Sequence, residues 1–187
     1  MSEAIHLRAD AQHNLERILE SARAVFAEDG LDASVADVAE RAGVGTATIF
    51  RRFPAKDDLV AAILEQELGA VALRAQAASE SADPVAGLGE FMTAAVKSFI
   101  EGRCFCDASG SELFARPRIQ ELVGEVAAAV QLLLKRAKHA GAIRRDVSAE
   151  DLSFLINAIG QAGLRLERSP AELRRYVEIM LNGLRPA

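Results

Sequence analysis

The chain has 187 residues, half of them apolar, and a net charge of −5 from 22 Lys and Arg against 27 Asp and Glu. That length and apolar share allow a real core, in one domain or two small ones, and the acidic balance argues against a protein that coats DNA non-specifically. No run of about 18 apolar residues and no signal-peptide pattern is found, which predicts a soluble, cytoplasmic protein without a membrane partner. The abundance of Ala, Leu, Glu and Arg, with few alternating β-branched runs, predicts an all-α fold.

The first predicted helix covers about residues 10–28 and follows a polar segment, residues 1–9, that we expect to be loosely ordered. Its apolar residues repeat at the spacing of a single helix face, and Asp29-Gly30 ends it. The face consists of Leu15, Ile18, Leu19, Ala22, Val25 and Phe26. This stripe is the expected floor of a small N-terminal core.

Residues 34–54 divide into two short helical patterns with a glycine turn between them. Ser34 is a good N-cap, and Asp37 suits the positive end of the first of these helices. Gly43 ends that helix, because glycine adopts the left-handed C-cap conformation without steric cost. Pro54 ends the second helix, since the residue before a proline is pushed out of helical geometry. Two short helices joined by such a turn form a helix-turn-helix.

The charges around this motif indicate what it contacts. Between residues 41 and 56 the chain carries Arg41, Arg51, Arg52 and Lys56 and no acidic residue, although acidic residues are frequent on both sides. A local cationic cluster on an acidic chain is typical of phosphate contact at one place. A second helix of about seven residues is roughly 10 Å long and fits a major groove about 12 Å wide.

The sequence from about residue 15 to residue 64 resembles the N-terminal DNA-binding region of the tetracycline-repressor (TetR) family of bacterial transcriptional regulators. The resemblance is carried by the ends of the three helices and by the turn. These features are the Phe-x-x-x-Gly end of the first helix (Phe26, Gly30), the pair Val38-Ala39, the Ala-Gly-Val turn at residues 42–44, and the exit Phe50, Phe53, Pro54, Lys56.

The resemblance implies a three-helix DNA-binding domain, residues 1–54, followed by a six-helix ligand-binding and dimerisation domain, residues 55–187. It also implies a transcriptional regulator, by default a repressor, that binds a palindromic operator in double-stranded DNA as a homodimer. A small-molecule effector would release it, and no cofactor is expected.

The expected DNA contacts divide into base readers and phosphate contacts. Thr46, Thr48 and Arg51 lie near the start of the second short helix, where base readers sit, although Thr46 is alternatively a simple N-cap. The family usually has Tyr where Phe50 stands and His or Tyr where Arg52 stands, and Phe50 cannot donate to a phosphate, so Arg52 is expected to replace that contact. The predicted DNA-binding residues are Ser34, Gly45, Thr46, Thr48, Phe50, Arg51, Arg52 and Lys56.

The rest of the chain is again helical in pattern, with a loop at residues 79–84. Two late helices have clear starting signals, Ser148 followed by acids and Ser169-Pro170 followed by Glu172. The other helices are expected over about residues 56–78, 84–101 and 118–140, with a short one near 111–116.

The resemblance implies a small-molecule pocket between these C-terminal helices. The candidate lining is mostly apolar, which suits a hydrophobic ligand; the alternative is that the same side chains are ordinary core. The candidates are Phe91, Met92, Phe99, Phe105, Phe114, Leu134, Phe154 and Asn157.

A single DNA-binding domain contacts only one half of a palindromic operator, so two copies of the chain are expected to pair with two-fold symmetry. The last two helices have apolar stripes and small residues, and two such helices from each subunit form a four-helix bundle. The alternative is that they only close the core of the monomer. The predicted interface residues are Ile159, Gly160, Gly163, Leu173, Val177, Met180, Leu181 and Leu184.

A different class of protein remains open, a small all-helical enzyme or binding protein in which the helix-turn-helix is only structural. The sequence shows no convincing nucleophile with a base partner and no paired acids in a pocket-like setting, so we predict no enzyme. Cys104 and Cys106 are too few for a disulfide framework. They also have no third ligand nearby in the sequence, so no metal site is predicted.

Overall fold

The computed structural model describes residues 2–101 and 112–186, and in this part of the chain it contains eight α-helices, one 3₁₀ helix and no strand. The predicted all-α class is confirmed. The helices are α1 (Ser2–Asp29), α2 (Val35–Ala42), α3 (Thr46–Arg52), α4 (Lys56–Glu80), α5 (Pro84–Glu101), a 3₁₀ helix (Glu112–Ala115), α6 (Pro117–His139), α7 (Ala149–Arg165) and α8 (Pro170–Gly183).

The chain forms two compact units, Met1–Leu64 and Glu65–Ala187, and the division falls within α4. The first unit contains α1, the helix-turn-helix and the start of α4, and the second contains the rest of α4 and the later helices. The predicted domain boundary after residue 54 stays a prediction.

Two helix ends differ from the prediction. Helix α1 begins at Ser2, so the expectation of a loosely ordered segment over residues 1–9 was wrong for residues 2–9. That segment contains good helix formers and neither glycine nor proline, so it continues the helix. Helix α4 continues to Glu80, beyond the predicted end. The Arg136 guanidinium of α6 donates to the backbone oxygen of Ser79 in the last turn of α4 and to that of Ser81 just after the helix.

The second unit is organised around α5, which packs against α6, α7 and α8. Its central core joins side chains from all of these helices with the end of α4 and the loop before α7. The fully or nearly buried members include Ala75, Leu88, Met92, Val96, Leu133, Ala137, Ile143, Leu152 and Val177. The predicted caps of the last two helices are confirmed, since Ser148 and Ser169 each form a capping box with the residue three positions later.

Candidate nucleic-acid interface

Local hydrogen bonds define α2 and the turn that follows it, as the sequence predicts. The backbone N–H of Ser34 donates to the Asp37 carboxylate at 2.8 Å, and the N–H of Asp37 donates to the Ser34 hydroxyl oxygen at 3.2 Å. Hydrogen bonds from the Ser34 hydroxyl and then from its backbone N–H lower the pKa of Asp37 below its ordinary value. Gly43 has a φ of +64°, and its N–H closes the helix on Ala39 and Glu40.

Contacts from α1 fix the position of α2. The Arg17 guanidinium donates to the backbone oxygen of Ala42 at 2.5 Å and so satisfies a carbonyl at the end of α2. Arg41 forms an ion pair with Glu28 at 2.6 Å, and its hydrogen bond lowers the pKa of the Glu28 carboxyl. Sequence reasoning missed both contacts, because their partners are 25 and 13 residues apart. One cation of the predicted cluster, Arg41, is therefore already paired.

Helix α3 is anchored by one side chain and exposes most of the others. Ile49 is fully buried. The N-cap is Gly45, which makes no side-chain capping bond, so the alternative role of Thr46 as the N-cap is not the one in the structure. Thr46, Arg51 and Arg52 are exposed and Thr48 is half-buried.

Arg51 and Arg52 are the cations that this helix leaves available. Within the described residues neither side chain takes part in an ion pair or a hydrogen bond. Phe50 directly precedes them in the sequence, and 46% of its surface is exposed. An exposed aromatic residue followed by two unpaired guanidiniums forms a surface that suits a phosphate backbone.

The side chain of Lys56 has partners within the first unit. Its ammonium group donates to the backbone oxygen of Leu31 and lies 5.7 Å from the centroid of the Phe26 ring. The side chain is half-buried at the start of α4. The predicted phosphate contact of Lys56 is untested, but the ammonium group already has a partner inside the first unit. The predicted cluster of four cations thus contains two that are engaged within the fold.

The predicted effector residues differ in burial, and the pocket itself stays a prediction. Phe91 and Met92 are buried in the core of the second unit, whereas Phe154 is 74% exposed. Asn157 is exposed and donates to the backbone oxygen of Ser153 at 2.8 Å. Leu134 is buried and lines a cavity of about 610 Å³ beside α6.

The other predicted effector residues have separate surroundings. Phe99 is half-buried against Gly160, because a Cβ at that glycine would meet the phenyl ring. Phe114 is half-buried in the 3₁₀ helix. Phe105 lies outside the described residues.

Most of the predicted dimer residues face the core of their own chain. A Cβ at Gly163 would lie 2.5 Å from Leu173 Cδ2, so this glycine allows α7 and α8 to approach within one subunit. Val177 is 1% exposed and Leu184 is 7% exposed. Ile159, Met180 and Leu181 are partly buried against the same core, and Gly160 is buried. The interface itself stays a prediction, but these side chains are already packed within one subunit.

A different face of α7 and α8 carries exposed apolar side chains. Phe154, on the first half of α7, is 74% exposed, and Ile179, on α8, is 55% exposed. Tyr176, one turn before Ile179, is 38% exposed. Sequence reasoning assigned small residues of α7 and the wide apolar face of α8 to the interface, and the core buries several of these residues.

Across residues 2–101 and 112–186, no three His, Cys, Asp or Glu side chains lie close enough together to hold a metal ion. Cys104 and Cys106 lie outside the described residues. Every described helix falls short of the length or the apolarity that a membrane span needs.

Fold and site together define the class of this protein. An all-helical chain whose first unit is a helix-turn-helix, with an exposed second helix and unpaired arginines, has the architecture of a helical DNA-binding regulator. Residues 18–63 match the family described as bacterial regulatory proteins, tetR family, and residues 83–186 match the C-terminal domain described as transcriptional regulator SbtR-like. The chain belongs to the TetR family of bacterial transcriptional regulators.

Solved structures agree with this assignment. The chain is 30% identical to a TetR transcription regulatory protein from Mycobacterium vanbaalenii, with a TM-score of 0.70 over 96% of this chain and 99% of that one. It is 26% identical to a TetR transcriptional regulator from Streptomyces coelicolor, with a TM-score of 0.70 over 92% and 99% of the two chains.

A more distant structure shares the fold and contains a ligand. The transcriptional regulator FadR from Bacillus subtilis, solved in complex with stearoyl-CoA, is 18% identical, with a TM-score of 0.70 over 90% of this chain and 98% of that one. A search of curated proteins finds no match to the chain.

Proposed function

We propose that this regulator is a homodimeric repressor that binds a palindromic operator through α3 and is released when a small, largely apolar ligand binds the second unit. The observation that carries the proposal is the exposed face of α3. Thr46, Arg51 and Arg52 are exposed there, while Ile49 holds the helix on the rest of the unit. A short helix anchored on one side and cationic on the other is suited to the major groove.

Roles within this face follow from the chemistry of each side chain. Arginine favours guanine through paired hydrogen bonds, and a threonine reaches a base by its hydroxyl or touches a thymine methyl. Arg51 and Thr46, with the half-buried Thr48, are the proposed base readers. Arg52 and Ser34, at the ends of α3 and α2, are the proposed phosphate contacts. Gly45 and Phe50 complete the surface, because neither places a bulky polar group between the helix and DNA.

The proposed homodimer rests on the exposed apolar face of α7 and α8. Phe154 on α7 and Tyr176 and Ile179 on α8 are exposed, and aromatic residues are enriched at subunit interfaces. Pairing of the two helices with a second copy gives a four-helix bundle with two-fold symmetry. That symmetry is the one that a palindromic operator requires.

The proposed effector is apolar because the core of the second unit is apolar. Phe91 and Met92 belong to the same buried cluster, so an apolar ligand that separates the helices around them would meet apolar side chains. The Bacillus subtilis structure contains stearoyl-CoA, whose acyl chain is a ligand of this kind. A ligand that separates these helices would bind more tightly to one arrangement of the second unit than to the other. If the favoured arrangement binds the operator weakly, ligand binding releases the DNA.

The alternative of a small enzyme or binding protein with a structural helix-turn-helix is not favoured. The family match extends over both units, residues 18–63 and 83–186, and the family consists of transcriptional regulators. The arginines of α3 also have no structural partner in the described residues that would explain them.

The test is salt-dependent binding to DNA. Fluorescence anisotropy with palindromic fragments from upstream of the gene and of its neighbours is expected to find one fragment bound far more tightly than a scrambled fragment of equal composition. The logarithm of the binding constant should fall linearly with the logarithm of the salt concentration. Stearoyl-CoA added to the bound complex tests release. Equal affinity for the palindrome and the scrambled fragment would remove the basis of the proposal.

A further inference from the structure

A cationic cavity lies beside α6, on a part of the second unit that the proposed functions do not use. It has a volume of about 610 Å³ and opens between the last turns of α6 and the first turn of α7. Lys135, Lys138 and His139 of α6 line it, together with Arg145 from the loop before α7. Basic groups from two separate segments of the chain therefore converge on one cavity.

The charges of this cavity are not balanced from within the fold. Glu150 is the carboxylate in the lining, against three permanent cations, although the chain as a whole carries a net charge of −5. In the part of the chain that the structure describes, no ion pair or side-chain hydrogen bond engages Lys135, Lys138 or Arg145. The lining therefore carries more positive than negative charge, and a bound anion would offset the excess.

A neighbouring carboxylate is already committed elsewhere. Asp151 is bonded to Ser148 in the capping box of α7, and hydrogen bonds from Ser148 are the main reason that the pKa of Asp151 is lowered. The positive charge of Lys138 lowers it further. Asp151 thus contributes to the electrostatics near the cavity without forming an ion pair there.

The loop that carries Arg145 is held in place. The backbone N–H of Arg144 donates to the backbone oxygen of Leu184 at 2.9 Å, and Ile143 and Val147 are 2% and 3% exposed. Because both sides of the loop are anchored in the core, Arg145 is presented to the cavity by a fixed backbone. A preformed arrangement of cations lowers the ordering cost of binding.

We propose that this cavity binds a small molecule with several negative charges, carried by phosphate or carboxylate groups. Lys135, Lys138 and Arg145 supply charge-assisted hydrogen bonds, and the planar guanidinium is suited to either kind of oxygen anion. The volume falls in the range of small-molecule sites, roughly 300–1,000 Å³. This site differs from the proposed effector site, whose lining is apolar, and it does not depend on DNA binding.

Pyrophosphate and citrate are the probes, each titrated into the full-length chain by calorimetry at low ionic strength, with sodium chloride of equal ionic strength as reference. The two probes distinguish a phosphate source from a carboxylate source. Proton NMR locates the binding, because His139 lines the cavity and His13 lies on α1. Binding of either probe is expected to shift the His139 resonance and to leave that of His13 unchanged.

Lys138→Gln removes one cation from the cavity, and Arg174→Gln removes one exposed cation of α8 that does not line it. Lys138→Gln is expected to lower the affinity for the probe roughly tenfold, the effect of losing a hydrogen bond to a charged group. Arg174→Gln is expected to leave this affinity unchanged. Circular dichroism checks that both variants are folded; if Lys138→Gln does not fold, Lys135→Gln replaces it in the same comparison. The proposal is overturned if neither probe binds more tightly than chloride, if His139 does not respond, or if both variants weaken binding equally.

Discussion

The exposed apolar face of α7 and α8 allows a sharp test of the proposed homodimer. Phe154 is 74% exposed in a single subunit, and a dimer that pairs α7 and α8 would cover it. Phe154→Glu is expected to produce a folded monomer with weak operator binding. Glutamate is a good helix former at an exposed position, so the substitution should leave α7 intact.

The magnitude follows from the area. A phenylalanine exposing 74% of its surface leaves about 150 Å² uncovered, and two copies leave about 300 Å². At about 25 cal/mol per Å² this is about 7 kcal/mol, an upper bound because an interface covers only part of each ring. If half of the area is covered, the loss is about 4 kcal/mol, which raises the Kd of the dimer several-hundredfold. The two glutamates would also face each other across the two-fold axis and repel.

The assay is sedimentation velocity at micromolar concentration, with circular dichroism as a check of folding. Leu73→Glu is the matched control, because Leu73 of α4 is 70% exposed and lies on neither α7 nor α8. It should remain a dimer. Val177→Glu is the opposite control, since Val177 is 1% exposed and a buried, unpaired charge should unfold the second unit.

Three outcomes would refute this reasoning. Phe154→Glu sediments as the wild type does, Leu73→Glu dissociates as readily, or the wild type itself is a monomer at micromolar concentration. Any of them would place the interface elsewhere or remove it.

The remaining predictions concern the first unit. Arg51→Ala should lose discrimination at one base pair, by about 1–3 kcal/mol, measured against a panel of single-base operator variants; a uniform loss on every sequence would make Arg51 a phosphate contact. Lys56→Ala should lower the free energy of unfolding by about 1–2 kcal/mol in thermal melts, because the ammonium group of Lys56 donates to the backbone oxygen of Leu31. It should leave unchanged the slope of the logarithm of operator affinity against the logarithm of salt concentration. A slope flatter by about one unit would show that Lys56 contacts a phosphate. Phe50→Tyr should bind the operator equally well or more tightly without a change of sequence preference, because the ring is 46% exposed, whereas a marked loss in anisotropy would show that no phosphate is within reach. The pKa of Asp37 is lowered in the folded chain, so the ionised carboxylate stabilises the fold above the pKa of the unfolded chain, about 3.9, and this stabilisation is lost as the pH falls through the lowered pKa of the folded chain. In thermal melts from pH 7 to pH 3, the melting temperature of Asp37→Asn should therefore fall less steeply than that of the wild type. Identical curves for the two proteins would exclude this contribution.

Local interactions were the part of the fold that the sequence predicted well. The caps Ser34, Ser148 and Ser169 each bond a residue three positions later, so the pattern and its partner stand together in the sequence. The left-handed Gly43 is likewise determined within one turn of helix. The helix-turn-helix and the family resemblance depend on such local signals.

The candidate site could be predicted only in part, because a charge in a sequence does not reveal its partner. Arg41 and Lys56 belong to the cationic cluster by position, yet one pairs with Glu28 and the other bonds Leu31. Both partners come from the end of α1 and the loop after it, and their proximity depends on how α1 packs on α2. Arg51 and Arg52, on the outer side of α3, keep the availability that the sequence predicted.

The sequence alone determined that the chain is helical, where most helices begin and end, and which two short helices form the helix-turn-helix, because capping and periodicity act over a few residues. Only the tertiary structure decided which face of each late helix is inside. Gly160 and Gly163 are suited equally to a close approach within a subunit or between subunits, and packing against Phe99 and Leu173 selects the first. Phe154 is as apolar as its buried neighbours, and it is exposed because α5 covers the opposite face of α7. Periodicity shows that a helix has an apolar stripe, but the packing partner determines which residues it covers.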